Sequence, residues 1–136
     1  MNIQSFVPVV LSLLFVTFGW RITREISVGE EGRRTWLLVS DYLNFASMLG
    51  ILIFCIVIPL ATGTFSVLSR ITLAVAFVLI VFYPMTLAGH YRLFSKEGRA
   101  IYLKEGKDYP RVTDQEAIFL IIAVTCAVIA GWYVAR

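Results

Sequence analysis

Seven polar side chains hold most of the chemistry this chain could offer. Ser40, Asp41, Asn44 and Ser47 fall within "LLVSDYLNFASMLG" (residues 37–50), and Tyr83, Thr86 and His90 fall near the end of a later apolar run. At 100° per residue Ser40, Asn44 and Ser47 share one helical face, which Asp41 flanks; Tyr83, Thr86 and His90 share another at i, i+3 and i+7. If the two faces meet, Asp41 can accept a hydrogen bond from Tyr83, His90 or a nearby arginine (Arg33, Arg34 or Arg92). An aspartate beside a histidine also suits acid–base work. Three roles are therefore open to Asp41: structural pairing, transport or ligand binding, and catalysis.

Those residues sit in an apolar background. Of 136 residues, 59% are hydrophobic and 15% charged, against roughly 25% charged in a soluble domain. Residues 1–20, 42–61, 71–89 and 117–135 contain no charge, and each run approaches the roughly 20 residues that cross a bilayer core as a helix. The runs are apolar on every face, unlike the alternating strands of a membrane barrel. The expected fold is thus all-α: four transmembrane helices in one antiparallel bundle, at about 5–22, 34–61, 69–93 and 114–135, with loops at about 23–33 and 94–113. The first run lacks a leading Lys or Arg and a small-x-small cleavage site, so it is expected to be a retained helix.

Charge placement gives an expected orientation. Ten of the twelve Lys and Arg lie in the two longer loops and their flanks; Arg70 and Arg136 are the other two. The positive-inside rule then puts both basic loops in the cytoplasm and both termini outside, in a bacterial-type inner membrane. Arg21, Arg24, Arg33, Arg34, Arg92, Lys96 and Arg99 are expected to meet anionic lipid headgroups rather than nucleic acid. Trp20 and Trp36 mark the inner interface and Trp132 the outer one. Counted from Trp36 at 1.5 Å per residue, Asp41 lies only about 7–8 Å inside, well short of the midplane.

Local signals fill in the rest. Pro8 falls in the first turn of its helix and Pro59 near the end of the second. Pro84 lies inside the third, where it deprives the Ile80 carbonyl of a donor and predicts a kink. Thr113 followed by Glu116 is a capping box, which accounts for both residues without a functional role. Acid-Gly-base triplets at 31–33, 97–99 and 105–107 read as turns, and "RAIYLK" (99–104) as a short amphipathic turn on the membrane surface. A brief echo of "EGRRTWL" in "EGRAIYL" is too short to establish a duplication. Ala123, Ala127 and Gly131, with a shorter pair in Ala46 and Gly50, are small residues in helical register; they fit packing within the bundle or a subunit interface.

Cys55 and Cys126 read as small apolar fillers. They make no zinc-ligand spacing with the single histidine, and no metal or cofactor is expected. There is no phosphate loop and no nucleophile motif. The function read from the residues is a non-enzymatic oligomeric transporter or channel, or an accessory subunit of a larger membrane complex. The alternative is an intramembrane enzyme or lipid-headgroup binder using Asp41 and His90; a third reading is a pore-forming effector.

Overall fold

A computed structural model describes residues 3–32, 35–95 and 110–136. Among these, four helices are long and apolar enough to cross a membrane: α1 (Phe6–Glu30), α2 (Val39–Thr62), α3 (Val67–His90) and α4 (Asp114–Ala135). A 3-10 turn, Ile3–Ser5, precedes α1. The helices pack as an antiparallel bundle, and the protein is a small integral membrane protein. Leu60, Val16 and Tyr133 are 81%, 69% and 76% exposed; apolar surface on that scale belongs in lipid, not water.

The α4 bounds agree with expectation, and its capping box is present. The other ends differ for local reasons. α1 continues eight residues past Ile22. An Arg21–Glu25 pair one turn apart supports that extension, and the Thr23 and Ser27 hydroxyls donate to carbonyls four residues back. α1 stops where Gly32 takes a left-handed φ of 74°, which glycine adopts without steric cost. α2 starts at Val39, not near Arg34. Leu38 is extended, and the Asp41 carboxylate accepts its N–H at 2.7 Å, a helix-start bond of the capping-box type. Asp41 thus fixes where its own helix begins.

In α2, residues Leu52–Val57 wind as a π-helix, and the Ile58 N–H reaches back to the Ile53 carbonyl. In that register the next carbonyl, Phe54, would need an N–H from residue 59, which is proline. The Ser69 hydroxyl of α3 donates to it instead at 2.5 Å, and Cys55 Sγ contacts the Ser69 carbonyl at 3.3 Å. The shift in winding is thereby satisfied from the neighbouring helix. α3 stays helical through Pro84.

α3 touches each of the other three helices. The apolar core (Val10, Leu14, Ile51, Leu73, Ala76 and Ile80 among others) comes from α1, α2 and α3. α4 docks on α3 through one stripe: Glu116, Ala123, Ala127 and Gly131 are its buried residues. A Cβ on Gly131 would stand 3.2 Å from a Val75 methyl, and one on Gly89 would come within 2.8 Å of the Glu116 backbone nitrogen. The small-residue stripe of α4 is therefore filled by α3 of the same chain. Gly50 faces Thr72 of α3, whereas Ala46 is exposed.

Candidate functional site

The last turns of α1 and α3 and the first turns of α2 and α4 lie at one end of the bundle, the loop end, opposite the start of α1 and the end of α4. Nearly all the buried ionisable groups gather at this loop end, and α1 supplies the central one. Arg21 is 1% exposed. Its Nε donates to Asp41 Oδ2 at 2.9 Å and its Nη2 to the Trp36 carbonyl at 3.1 Å. Nη1 pairs with Glu25 and reaches the Tyr91 hydroxyl at 3.4 Å. Every nitrogen of the guanidinium is engaged.

Asp41, also 1% exposed, is equally committed. Oδ1 accepts the Tyr83 hydroxyl at 2.7 Å, and Oδ2 accepts both Arg21 and the Leu38 N–H. Glu25 Oε2 accepts the Trp36 N–H at 3.1 Å, and its Oε1 accepts Arg24 at 2.7 Å. Two arginines thus face two carboxylates, so the cluster is formally neutral. The Arg24 guanidinium also lies over the Tyr91 ring, 4.8 Å from its centroid. Burial pushes the Tyr91 phenol up, while Arg21 and Arg24 oppose this in part; Tyr91 therefore stays a neutral hydroxyl beside Arg21.

A second site joins α3 to α4. His90 Nδ1 lies 2.8 Å from Glu116 Oε2, with both side chains almost fully buried. The Thr113 hydroxyl caps α4 and also donates to the Gly89 carbonyl at 2.7 Å. The Trp36 ring meets the imidazole edge-on, with centroids 6.4 Å apart.

The predicted polar residues thus divide between two sites. Asp41 and Tyr83 meet across α2 and α3. His90 turns away to Glu116, so the structure does not assemble the Asp41–His90 pair on which acid–base chemistry would depend. Thr86 donates to the carbonyl of Tyr83, within its own helix. Ser40 and Asn44 are buried on the inward face of α2, and Ser47 is half-buried. Arg21, expected among headgroups, turns inward instead, because Asp41, Glu25 and the Trp36 carbonyl satisfy it there. Arg24 and Arg92 are partly buried, with Arg92 3.8 Å from Asp114. Arg33, Arg34, Lys96 and Arg99 lie outside the described residues, as do the triplets at 97–99 and 105–107 and the 99–104 turn.

Sequence reasoning missed Arg21 and Glu25, and it gave Glu116 too small a part. The available signal was the one-turn spacing of Arg21 and Glu25 at the end of an apolar run. Cys55 and Cys126 are both free thiols. Among the described residues no group of three His, Cys, Asp or Glu is placed to hold a metal. A cleft of about 440 Å³ lies at the opposite end, between α1 and α2, lined by Val7, Pro8, Cys55, Pro59 and Phe65 among others. No family model, curated protein or solved structure matches the chain.

Proposed function

We propose that this chain is a non-enzymatic accessory subunit of the membrane, and that its loop-end charge network is a clamp that fixes α1, α2 and α3 together. The observation that carries this reading is the full occupancy of Asp41. Both of its oxygens already accept hydrogen bonds, from Tyr83, Arg21 and the Leu38 N–H. A carboxylate serving a transported ion must release its protein partners at each passage, and separating a buried ion pair costs about 3–5 kcal/mol. What remains for interaction is surface: the apolar outer faces of the helices and the basic loops. In the proposed orientation those loops lie in the cytoplasm, with Arg24, Arg33, Arg34, Arg92, Lys96 and Arg99 against anionic headgroups. The chain would work within a larger membrane complex, including further copies of itself.

Reconstitution tests the reading. The purified chain in proteoliposomes is expected to carry no ion flux, and Asp41→Asn is expected to lower thermal stability sharply in detergent. Flux by the wild type that Asp41→Asn alters, in a variant that folds as stably as the parent, would establish a transport pathway instead.

A further inference from the structure

The cleft at the far end of the bundle follows one helix face inward from the membrane boundary. Its α2 wall starts at Thr64, in the turn after α2, and continues through Leu60, Pro59 and Ile56 to Cys55. Cys55 lies seven residues before the end of α2 at Thr62, roughly 10 Å deeper at 1.5 Å per residue. The first turn of α1 and the residues before it supply the other wall, with Gln4 exposed and Val7 buried. The opening is therefore polar, at Gln4 and Thr64, and the floor is apolar, at Val7 and Cys55, each 7% exposed. The volume of about 440 Å³ falls within the range of small-molecule sites, about 300–1,000 Å³. The cleft also borders the π segment Leu52–Val57, a winding frequent at functional sites.

We propose that this cleft holds one acyl chain of a membrane phospholipid, with the headgroup at the level of Gln4 and Thr64 and the chain directed inward to Cys55. The walls offer such a chain no unmet donor. Pro8 and Pro59 have no N–H. The Cys55 thiol is turned to the Ser69 carbonyl at 3.3 Å, and the Phe54 carbonyl that the π winding frees already accepts the Ser69 hydroxyl. Water on that floor would find too few polar partners to stay. Arg70, exposed in the first turn of α3, is the one Asp, Glu, Lys or Arg between residues 42 and 91, and it lies at this end. An arginine there suits a lipid phosphate.

The length of the cleft argues for a lipid chain over a partner helix. A helix needs a groove along much of the bundle, whereas here the core closes below the cleft. Val10, Leu14 and Ile51 are 1%, 0% and 0% exposed and belong to one buried cluster. Lipid tails are already apolar, so the preference for the cleft comes from contact rather than from escape from water. A chain in the cleft touches protein on several sides, and a chain on an open helix face touches it on one; the dispersion contacts add up accordingly.

Photolabelling of the full chain tests the proposal. The probe is a phosphatidylcholine with a diazirine in one acyl chain, used as a minor component of phosphatidylcholine vesicles. The protein is extracted into lipid-free detergent, washed and illuminated, and adducts are mapped by mass spectrometry. Ile121 and Val128, 67% and 64% exposed on α4, are the open-face controls. Retained probe should label Ile56 and Leu60 about tenfold more than these controls, a preference of about 1.4 kcal/mol. Ile56→Trp fills the cleft from the α2 wall and should remove the excess at Leu60. Should that variant fail to fold, Val7→Phe fills it from the α1 wall with the same expected loss. Label spread evenly over exposed positions, a cleft left unlabelled because a second copy covers it, or excess labelling that survives the filling variant would overturn the proposal.

Discussion

Arg21 Nε lies 2.9 Å from Asp41 Oδ2, and the two residues belong to different helices, each 1% exposed. A charge from the end of α1 therefore sits inside the bundle, against a carboxylate that also starts α2. Local helix geometry and tertiary packing share one side chain. Disturbing Asp41 should affect both.

Asp41→Asn leaves Arg21 buried beside a neutral amide. The expected cost is about 3–5 kcal/mol, the scale of breaking one side of a buried pair. Thermal unfolding in mild detergent measures it. Replacing both partners, Arg21→Met with Asp41→Leu, should recover much of the loss because no uncompensated charge remains. A double variant as unstable as Asp41→Asn would mean that the bonds to the Leu38 N–H and the Trp36 carbonyl, both lost with the two side chains, outweigh the ion pair.

Tyr83→Phe removes the hydroxyl on Asp41 Oδ1 and keeps the ring. A hydrogen bond to a charged group is worth about 1.5–3 kcal/mol, and a loss in that range is expected. Unlike Asp41→Asn, this change leaves Arg21 and Asp41 paired, so the milder loss should come without new proteolytic cleavage at the start of α2.

Gly89→Ala places a methyl 2.8 Å from the Glu116 backbone nitrogen. Neither backbone can yield cheaply, so overpacking should cost about 1–3 kcal/mol and push the start of α4 away from α3. Gly19→Ala is the matched control: a Cβ there meets nothing within 4 Å. Cysteine cross-linking between α3 and α4 should fall in the first variant and stay unchanged in the second.

Ser69→Ala strands the Phe54 carbonyl, with an expected loss of about 1–3 kcal/mol. Pro59→Ala restores a backbone N–H at residue 59. In that background Ser69→Ala should cost clearly less, and a double-mutant cycle gives the coupling directly. Equal costs in both backgrounds would show that the Ser69 hydroxyl acts through the Ser66 hydroxyl, 3.0 Å away, instead.

The four spans were legible because charge-free runs of near-constant length leave little choice of architecture. α4 was readable to the residue, since Thr113 and Glu116 mark its start. The meeting of Asp41 and Tyr83 was readable from periodicity, once both lay at the same end of antiparallel helices. The part played by Arg21 was not: an arginine just past an apolar run has the same local signature whether it snorkels outward or turns in, and only the packing of α1 on α2 decides. Glu116 was masked by its own capping role, which explains the residue locally and hides its second partner. The π segment of α2 needs Pro59 and the distant Ser69 together, and no window along the chain contains both in a recognisable pattern.

The apolar core of α1, α2 and α3 has a consequence for synthesis. Its buried side chains all come from the first three helices, so that unit can be complete in the bilayer before α4 has left the ribosome. α4 would then join sideways, guided by the stripe of Ala123, Ala127 and Gly131 and fastened at the end by Thr113 and Glu116. A chain cut within residues 96–109 should still reassemble from its two pieces. The expected order is lateral docking of the fourth helix on a three-helix unit already in place, and reassembly of the two pieces checks it.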